Sequence, residues 1–259
     1  MLRNLWTHRG LLTSLIRRQF TLRYRQSAAG VLWAAVPPLV TVFASTLVFN
    51  KVAGVTSGNP DIPYPLFVFA AITPWTFFAG CITLGVPSIA ASQAMVSRIA
   101  FPRGVLPLSM VGLSLVDFAI AGATFVVYLY ATGNSLPATV VWVPALLVIE
   151  ILFASGIVLF ASALNMFARD VKLAVPFVTQ VWLFLTPVMY PLSDVPPQLR
   201  SLYIANPMTG IVESFRDVLL VGRPPDMELL TASMIGAAVS IVLGVWYFSV
   251  TERRFADVI

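Results

Sequence analysis

The chain has very little from which to build a catalytic or metal centre. Among its 259 residues there is one cysteine, Cys81, and one histidine, His8. A single thiol cannot close an intrachain disulfide, and Cys81 sits inside an apolar run, where it reads as a small buried apolar side chain. His8 has no second ligand near it in sequence, so no metal set is expected. No Ser-His-Asp set or Cys-His pair is assembled either, which makes a membrane enzyme the weakest of the functional readings.

Lysine is almost as scarce. Lys51 and Lys172 are the only two, and neither follows a glycine. A Walker A loop needs G-x-x-x-x-G-K-[ST], because its backbone amides and lysine hold the phosphates. The chain therefore has no such nucleotide site of its own.

Charge of either sign is also sparse. Charged residues make up 10% of the chain and hydrophobic ones 58%, against about 25% charged in an average soluble domain. A soluble globule this apolar would expose large apolar patches, so composition favours the membrane class. The formal net charge is +5. Basic residues form no face outside short loops, so nucleic-acid binding is not expected. Excess Arg and Lys is instead what membrane proteins hold in cytoplasmic loops.

A helix needs about 20 apolar residues to cross a hydrocarbon core of about 30 Å. Six candidate spans meet that need, at about 28–49, 65–90, 105–132, 137–168, 173–190 and 229–250. The first run is too long for a signal-peptide core and has no clean cleavage site, so no cleavable leader is expected. Six spans put both termini on one side. With that side taken as the cytoplasm, twelve Arg and Lys lie inside and four outside, which orients both termini inward.

The longest connection, 192–228, is not bland loop sequence. Ser193 or Asp194 can cap a short helix starting at the prolines, Asn206-Pro207 is a break, and a second helix fits 209–220. Neither piece is long and apolar enough to span. The expected fold is an all-α membrane protein with six transmembrane helices and two short re-entrant helices between spans five and six. Such backbone is tolerated at membrane depth only where protein or a water-filled cavity shelters it, which suggests a pathway mouth.

Ahead of the first span, "RRQFTLRYRQ" (17–26) carries four arginines and no acid. On a helical wheel Leu11, Leu15, Ile16, Phe20 and Leu22 share one half, while Arg17, Arg18, Thr21 and Arg25 share the other. Gln19 and Arg23 alone interrupt the apolar half. This is a basic amphipathic helix suited to a membrane interface. It serves either as an orientation signal touching lipid headgroups or as a docking surface for a cytoplasmic partner.

Four ordered segments resemble one known family. They are "LRYRQSAAGVLWAAVPP" (22–38), "MVSRIAFPRGVLPLS" (95–109), "ALNMFARDVKLAVPFVTQVWLFLTPVMYPLSDVP" (163–196) and "NPMTGIVESFRDVLL" (206–220). Together they are similar to ABC exporter permeases of the second type, in the branch that exports polysaccharides and polyol phosphates such as O-antigen, capsule and teichoic acid. The resemblance implies a single transmembrane domain in a bacterial cell membrane. Two copies would pair, each would bind a separate ATPase subunit that holds the ATP and Mg, and a lipid-linked glycan would pass between the two copies. It also implies roles for particular residues. Arg17, Arg18 and Arg25 on an interface helix at 12–25 would contact the ATPase, with Arg98, Phe101 and Arg103 in a coupling loop at 92–103 and Arg169 and Asp170 in a second contact. Pro191, Asn206, Pro207, Glu213 and Arg216 would belong to an outer gate.

A glycan channel can use aromatic rings as a lining, because pyranose C–H faces stack on them. Trp75, Phe78, Trp182, Phe184 and Tyr190 are the candidates, although aromatics also populate interfacial belts. Asp117 and Glu150 lie near the middle of the third and fourth spans, where a charge costs at least about 2.5–3.5 kcal/mol. They suit either a structural hydrogen-bonding pair between neighbouring helices or a proton relay. No chain of polar groups and no inverted repeat joins them, which favours the structural reading over a proton-coupled carrier. An exporter of a small drug or peptide with the same fold is the remaining alternative.

Overall fold

The computed structural model describes residues 9–24, 30–93 and 101–257, and all regular structure among them is helical. Helix α1 is Arg9–Tyr24. A 3-10 turn at Gly30–Ala34 leads into α2, Val36–Ser45, which widens into a π-helical end at Thr46–Val52. Helix α3 is Tyr64–Gly85, α4 is the short Ser88–Ala91, and α5 is Val105–Ala131. Helix α6 is Val143–Phe167, α7 is Val171–Phe184, α8 is Pro197–Ala205, α9 is Pro207–Arg216 and α10 is Met227–Thr251.

Proline sets where many of these helices begin. Pro65, Pro144, Pro197 and Pro207 stand at the first or second helical position. There the missing N–H has no intrahelical partner to lose and φ is already helical. The last helix starts instead on Asp226, whose carboxylate accepts from the backbone N–H of Glu228 and Leu229.

Five stretches are long and apolar enough to cross a membrane: Leu32–Val52, Tyr64–Gly85, Val105–Ala131, Ala138–Phe167 and Met227–Phe255. They cover the expected first, second, third, fourth and sixth spans within a few residues. The expected fifth, 173–190, holds the 14-residue helix α7. At about 1.5 Å per residue it reaches only about 21 Å. It stops because the backbone turns at Leu185 and Pro187 follows Thr186, and the residue before a proline is driven out of the helical region.

Helix α3 is the centre of the bundle, with 78% of its apolar window buried, against 22% for Leu32–Val52. Phe69, Phe77 and Phe78 on α3 are fully buried. The tightest crossing joins α6 to α10. A Cβ on Gly244 would run into the Gly156 backbone, and one on Gly156 would run into Ser240. Gly236 likewise faces Pro207, and Gly210 faces Ser233 and Leu229, so α9 is pressed onto the start of α10. Small residues let backbones approach where no hydrophobic drive separates helix from lipid.

A second apolar cluster closes the opposite end of the bundle. Leu15 of α1 packs there with Ile89, Val105, Leu106, Met166 and Phe255. At the periphery, α2 and α7 leave Phe43, Val48, Leu173 and Phe177 exposed in the single chain.

Candidate functional site

The chain between α7 and α10 folds into a helical hairpin held by two polar hubs. The first is Asn206, the N-cap of α9. Its side-chain oxygen accepts from the Met208 backbone N–H at 3.1 Å and from the Trp182 indole N–H at 3.0 Å. Its amide NH2 donates to the Leu185 carbonyl at 3.1 Å and to the Thr186 hydroxyl at 2.9 Å. One side chain thus caps α9 and ties it to the end of α7.

The second hub is Arg216, which is buried. Its guanidinium donates to the carbonyls of Phe67 at 3.3 Å, Pro187 at 2.7 Å and Val188 at 2.7 Å, and to the Glu213 carboxylate at 2.6 Å. It also lies over the Phe67 ring. Burial works against both charges, lowering Arg216 and raising Glu213, while each charge offsets part of that effect on the other. Next to this pair, Asp217 accepts from Arg223 at 2.9 Å. Burial raises the Asp217 carboxyl and Arg223 opposes the shift. Glu213, Arg216, Asp217 and Arg223 line a cleft of about 300 Å³ together with Ser57–Asn59 and Pro191.

Beside the hairpin runs an apolar groove of about 470 Å³, between α7 and α8. Phe177, Val181, Trp182, Leu202 and Tyr203 line it, and Asn206 and Pro207 close one end. Tyr203 meets Tyr190 hydroxyl to hydroxyl at 2.8 Å, and Tyr190 donates to the Phe184 carbonyl at 2.5 Å. Trp182 also belongs to an aromatic cluster reaching into the core. Its ring meets Phe78 edge-on at 5.0 Å, and Phe78 stacks on Phe153 at 5.2 Å.

At the other end of the bundle, Arg17 and Arg18 on α1 are exposed, as are Arg169 and Asp170 in the turn between α6 and α7. Arg169 and Lys172 border a recess of about 180 Å³ with Gln93 and Asn165. Arg103 is engaged within the chain. Its backbone N–H donates to the Glu252 carboxylate at 2.9 Å, and its guanidinium donates to the Glu252 carbonyl at 2.7 Å. Between the two ends, the Asp117 carboxylate on α5 accepts from Arg23 at 2.8 Å and from the Tyr24 hydroxyl at 2.5 Å. Burial, the bond to Asp117 and its negative charge push the Tyr24 phenol up to about 12. The phenol therefore stays a donor at neutral pH.

The family profile described as "ABC-2 type transporter" matches residues 10–220. The chain belongs to that family. Members are transport components rather than catalysts, and this ABC-2 chain carries several apolar helices long enough to cross a membrane. Among its relatives is the O-antigen export system permease protein RfbA of Myxococcus xanthus. It is 32% identical over 257 residues, which cover 98% of this chain and 96% of the relative. The protein of the same name from Klebsiella pneumoniae is 26% identical, with 96% and 95% covered. The polysialic acid transport protein KpsM of Escherichia coli is 22% identical, with 93% of each covered.

Within this ABC-2 chain the residues expected at an outer gate fall at two neighbouring places. Pro191, Glu213 and Arg216 border the cleft, and Asn206 and Pro207 border the groove. The aromatic candidates divide. Trp182 lines the groove, Phe184 is exposed and Tyr190 is half-buried, whereas Trp75 and Phe78 are buried in the protomer's own core. Asp117 and Glu150 do not bond to each other. Asp117 is held by α1, and the buried Glu150 carboxylate has no hydrogen-bond partner among the described residues. Phe101 packs against the apolar cluster at the α1 end. Arg25 and Arg98 lie outside the described residues, as does His8. Tyr203, the Asp217–Arg223 pair and the partner of Asp117 carry no spacing signal in the sequence. The packing of α10 does carry one: Gly236, which faces Pro207, and Ser240 and Gly244, which face α6, recur every four residues.

Proposed function

We propose that this chain is the membrane subunit of an ATP-driven exporter of a lipid-linked polysaccharide of the O-antigen or capsule kind. The observation that carries the reading is the alignment to an O-antigen export permease over 98% of the chain at 32% identity. A match of that extent takes in every candidate membrane span of the chain.

In this reading all six spans cross. Helix α7 makes the fifth crossing together with the extended residues that follow it. Helices α8 and α9 form the re-entrant hairpin on the outer side, and both termini lie in the cytoplasm of a bacterial inner membrane, in keeping with the charge bias. The whole chain acts as one transmembrane domain. A second copy covers the apolar faces left open on α2 and α7, and the glycan passes between the copies along the groove lined by Trp182 and Tyr203. The motor is a separate ABC ATPase, present in two copies, which binds ATP and Mg. It docks against the exposed Arg17 and Arg18 with Arg25, against Arg98, Phe101 and Arg103, and against the turn at Arg169 and Asp170.

Disrupting the gene in its host tests this. Loss of the surface polysaccharide, with lipid-linked polymer building up inside the cell, is the expected result. An unchanged cell surface would refute the reading. Transport driven by a pH gradient without ATP, and abolished in Asp117→Asn or Glu150→Gln, would favour a proton-coupled carrier instead.

A further inference from the structure

We infer that the Arg23–Asp117 ion pair is a strut through which α1 moves the third span, so that breaking it separates ATP hydrolysis from export. The inference rests on the exporter reading, in which α1 meets the motor.

Helix α1 lies along the first half of α5 and is pinned to it at two places. Near its middle, Ile16 packs onto Gly112, where a Cβ would meet the tip of the Ile16 side chain. At its end, Arg23 and Tyr24 both bond Asp117. Asp117 lies about 18 Å along α5 from Val105 at the usual helical rise. The contact therefore reaches deep into the span rather than staying at its mouth.

Two features make this contact more than packing. Arg23 is the only ion-pair partner of Asp117 among the described residues. If α1 shifted away, a carboxylate would be left unpaired at membrane depth, so the joint resists sliding and transmits displacement. The charges on α1 are also divided in use. Arg17 and Arg18 are exposed and make no ion pair among the described residues, while Arg23, on the otherwise apolar half and itself 43% exposed in the single chain, reaches across to Asp117 on α5. The exposed pair is free to meet a partner, and Arg23 grips the span. Arg23 and Asp117 are thus positioning residues, acting through α5 on the pathway.

The test uses the full chain with its ATPase in proteoliposomes. Arg23→Gln, Asp117→Asn and the reversed pair Arg23→Asp with Asp117→Arg are compared with wild type. ATPase retention, hydrolysis rate and polymer moved per ATP are read separately. Arg23→Gln leaves the Tyr24 bond to Asp117 in place, which keeps the test informative if Asp117→Asn folds poorly. Retention and hydrolysis within twofold of wild type are expected, with polymer per ATP at least tenfold lower in Arg23→Gln and recovered to at least half in the reversed pair. Polymer per ATP within twofold of wild type in Arg23→Gln would overturn the strut. So would loss of ATPase retention in both single variants without recovery in the reversed pair, because the contact would then serve folding alone. A wild-type complex that moves no polymer with ATP would refute the exporter reading itself and remove the strut's basis.

Discussion

The Arg216 guanidinium lies 3.5 Å from the centroid of the Phe67 ring. This contact fastens the hairpin after α7 to the first turn of α3, the most buried helix of the bundle. The same guanidinium holds the carbonyls of Pro187 and Val188, where α7 has ended and the chain has no helical partners of its own. A planar five-donor fork can stack and bond in several directions at once, which a lysine ammonium cannot.

Arg216→Met should therefore destabilise the protein strongly. It leaves the Pro187 and Val188 carbonyls and Glu213 without their donor, and removing one partner of a buried pair typically costs about 3–5 kcal/mol. Arg216→Lys should fall between Met and wild type. Thermal unfolding of the purified protein in detergent measures both, and a Met variant that melts with wild type would contradict the hub.

The α6–α10 crossing makes a contrasting pair of glycine predictions. Gly244→Val should sharply reduce folded yield, because its side chain would meet backbone, which cannot rotate away. Overpacking of that kind costs roughly 1–3 kcal/mol or more. Gly122→Ala should be tolerated, since a Cβ there meets nothing. Yield and melting temperature of the two variants, taken side by side, check the crossing directly.

Glu150 is fully buried and its two oxygens have no partner among the described residues. Leaving a buried polar group unsatisfied costs about 1–3 kcal/mol. Glu150→Leu should raise the melting temperature, and Glu150→Gln should preserve export. Loss of export in a well-folded Gln variant would instead make this residue part of the transport chemistry.

Trp182 and Tyr203 face the groove beside the hairpin. If glycan moves along it, removing both rings should slow export by about tenfold. That corresponds to a lost contact of about 1.4 kcal/mol. ATPase retention should be unaffected. Trp182→Phe, which keeps a ring but loses the N–H donated to Asn206, separates the lining role from the hairpin tie.

Much of the fold was legible in the sequence because hydropathy is a local property. Five of the six expected spans appear as helices long enough to cross, and the fifth was overestimated because its apolar run continues past Pro187, where the helix does not. The amphipathic character of α1 was also legible, with Leu15 buried and Arg17 and Arg18 exposed. Leu22, expected on the apolar half, is 64% exposed in the single chain. Arg23 stood out only as a charge on the wrong half of the wheel. Its partner is 94 residues away, and no local pattern connects the two. The same limit hid Tyr203 and the carbonyls that Arg216 holds. Those contacts depend on where separate helices end in space, which periodicity does not encode.

The most direct measurement is ATP-driven movement of lipid-linked polysaccharide in proteoliposomes containing this chain and its ATPase. Movement that requires ATP, stops when the ATPase cannot hydrolyse it and needs no pH gradient is the expected result. Polymer that stays in place with ATP present, or that follows a pH gradient without it, would contradict the assignment.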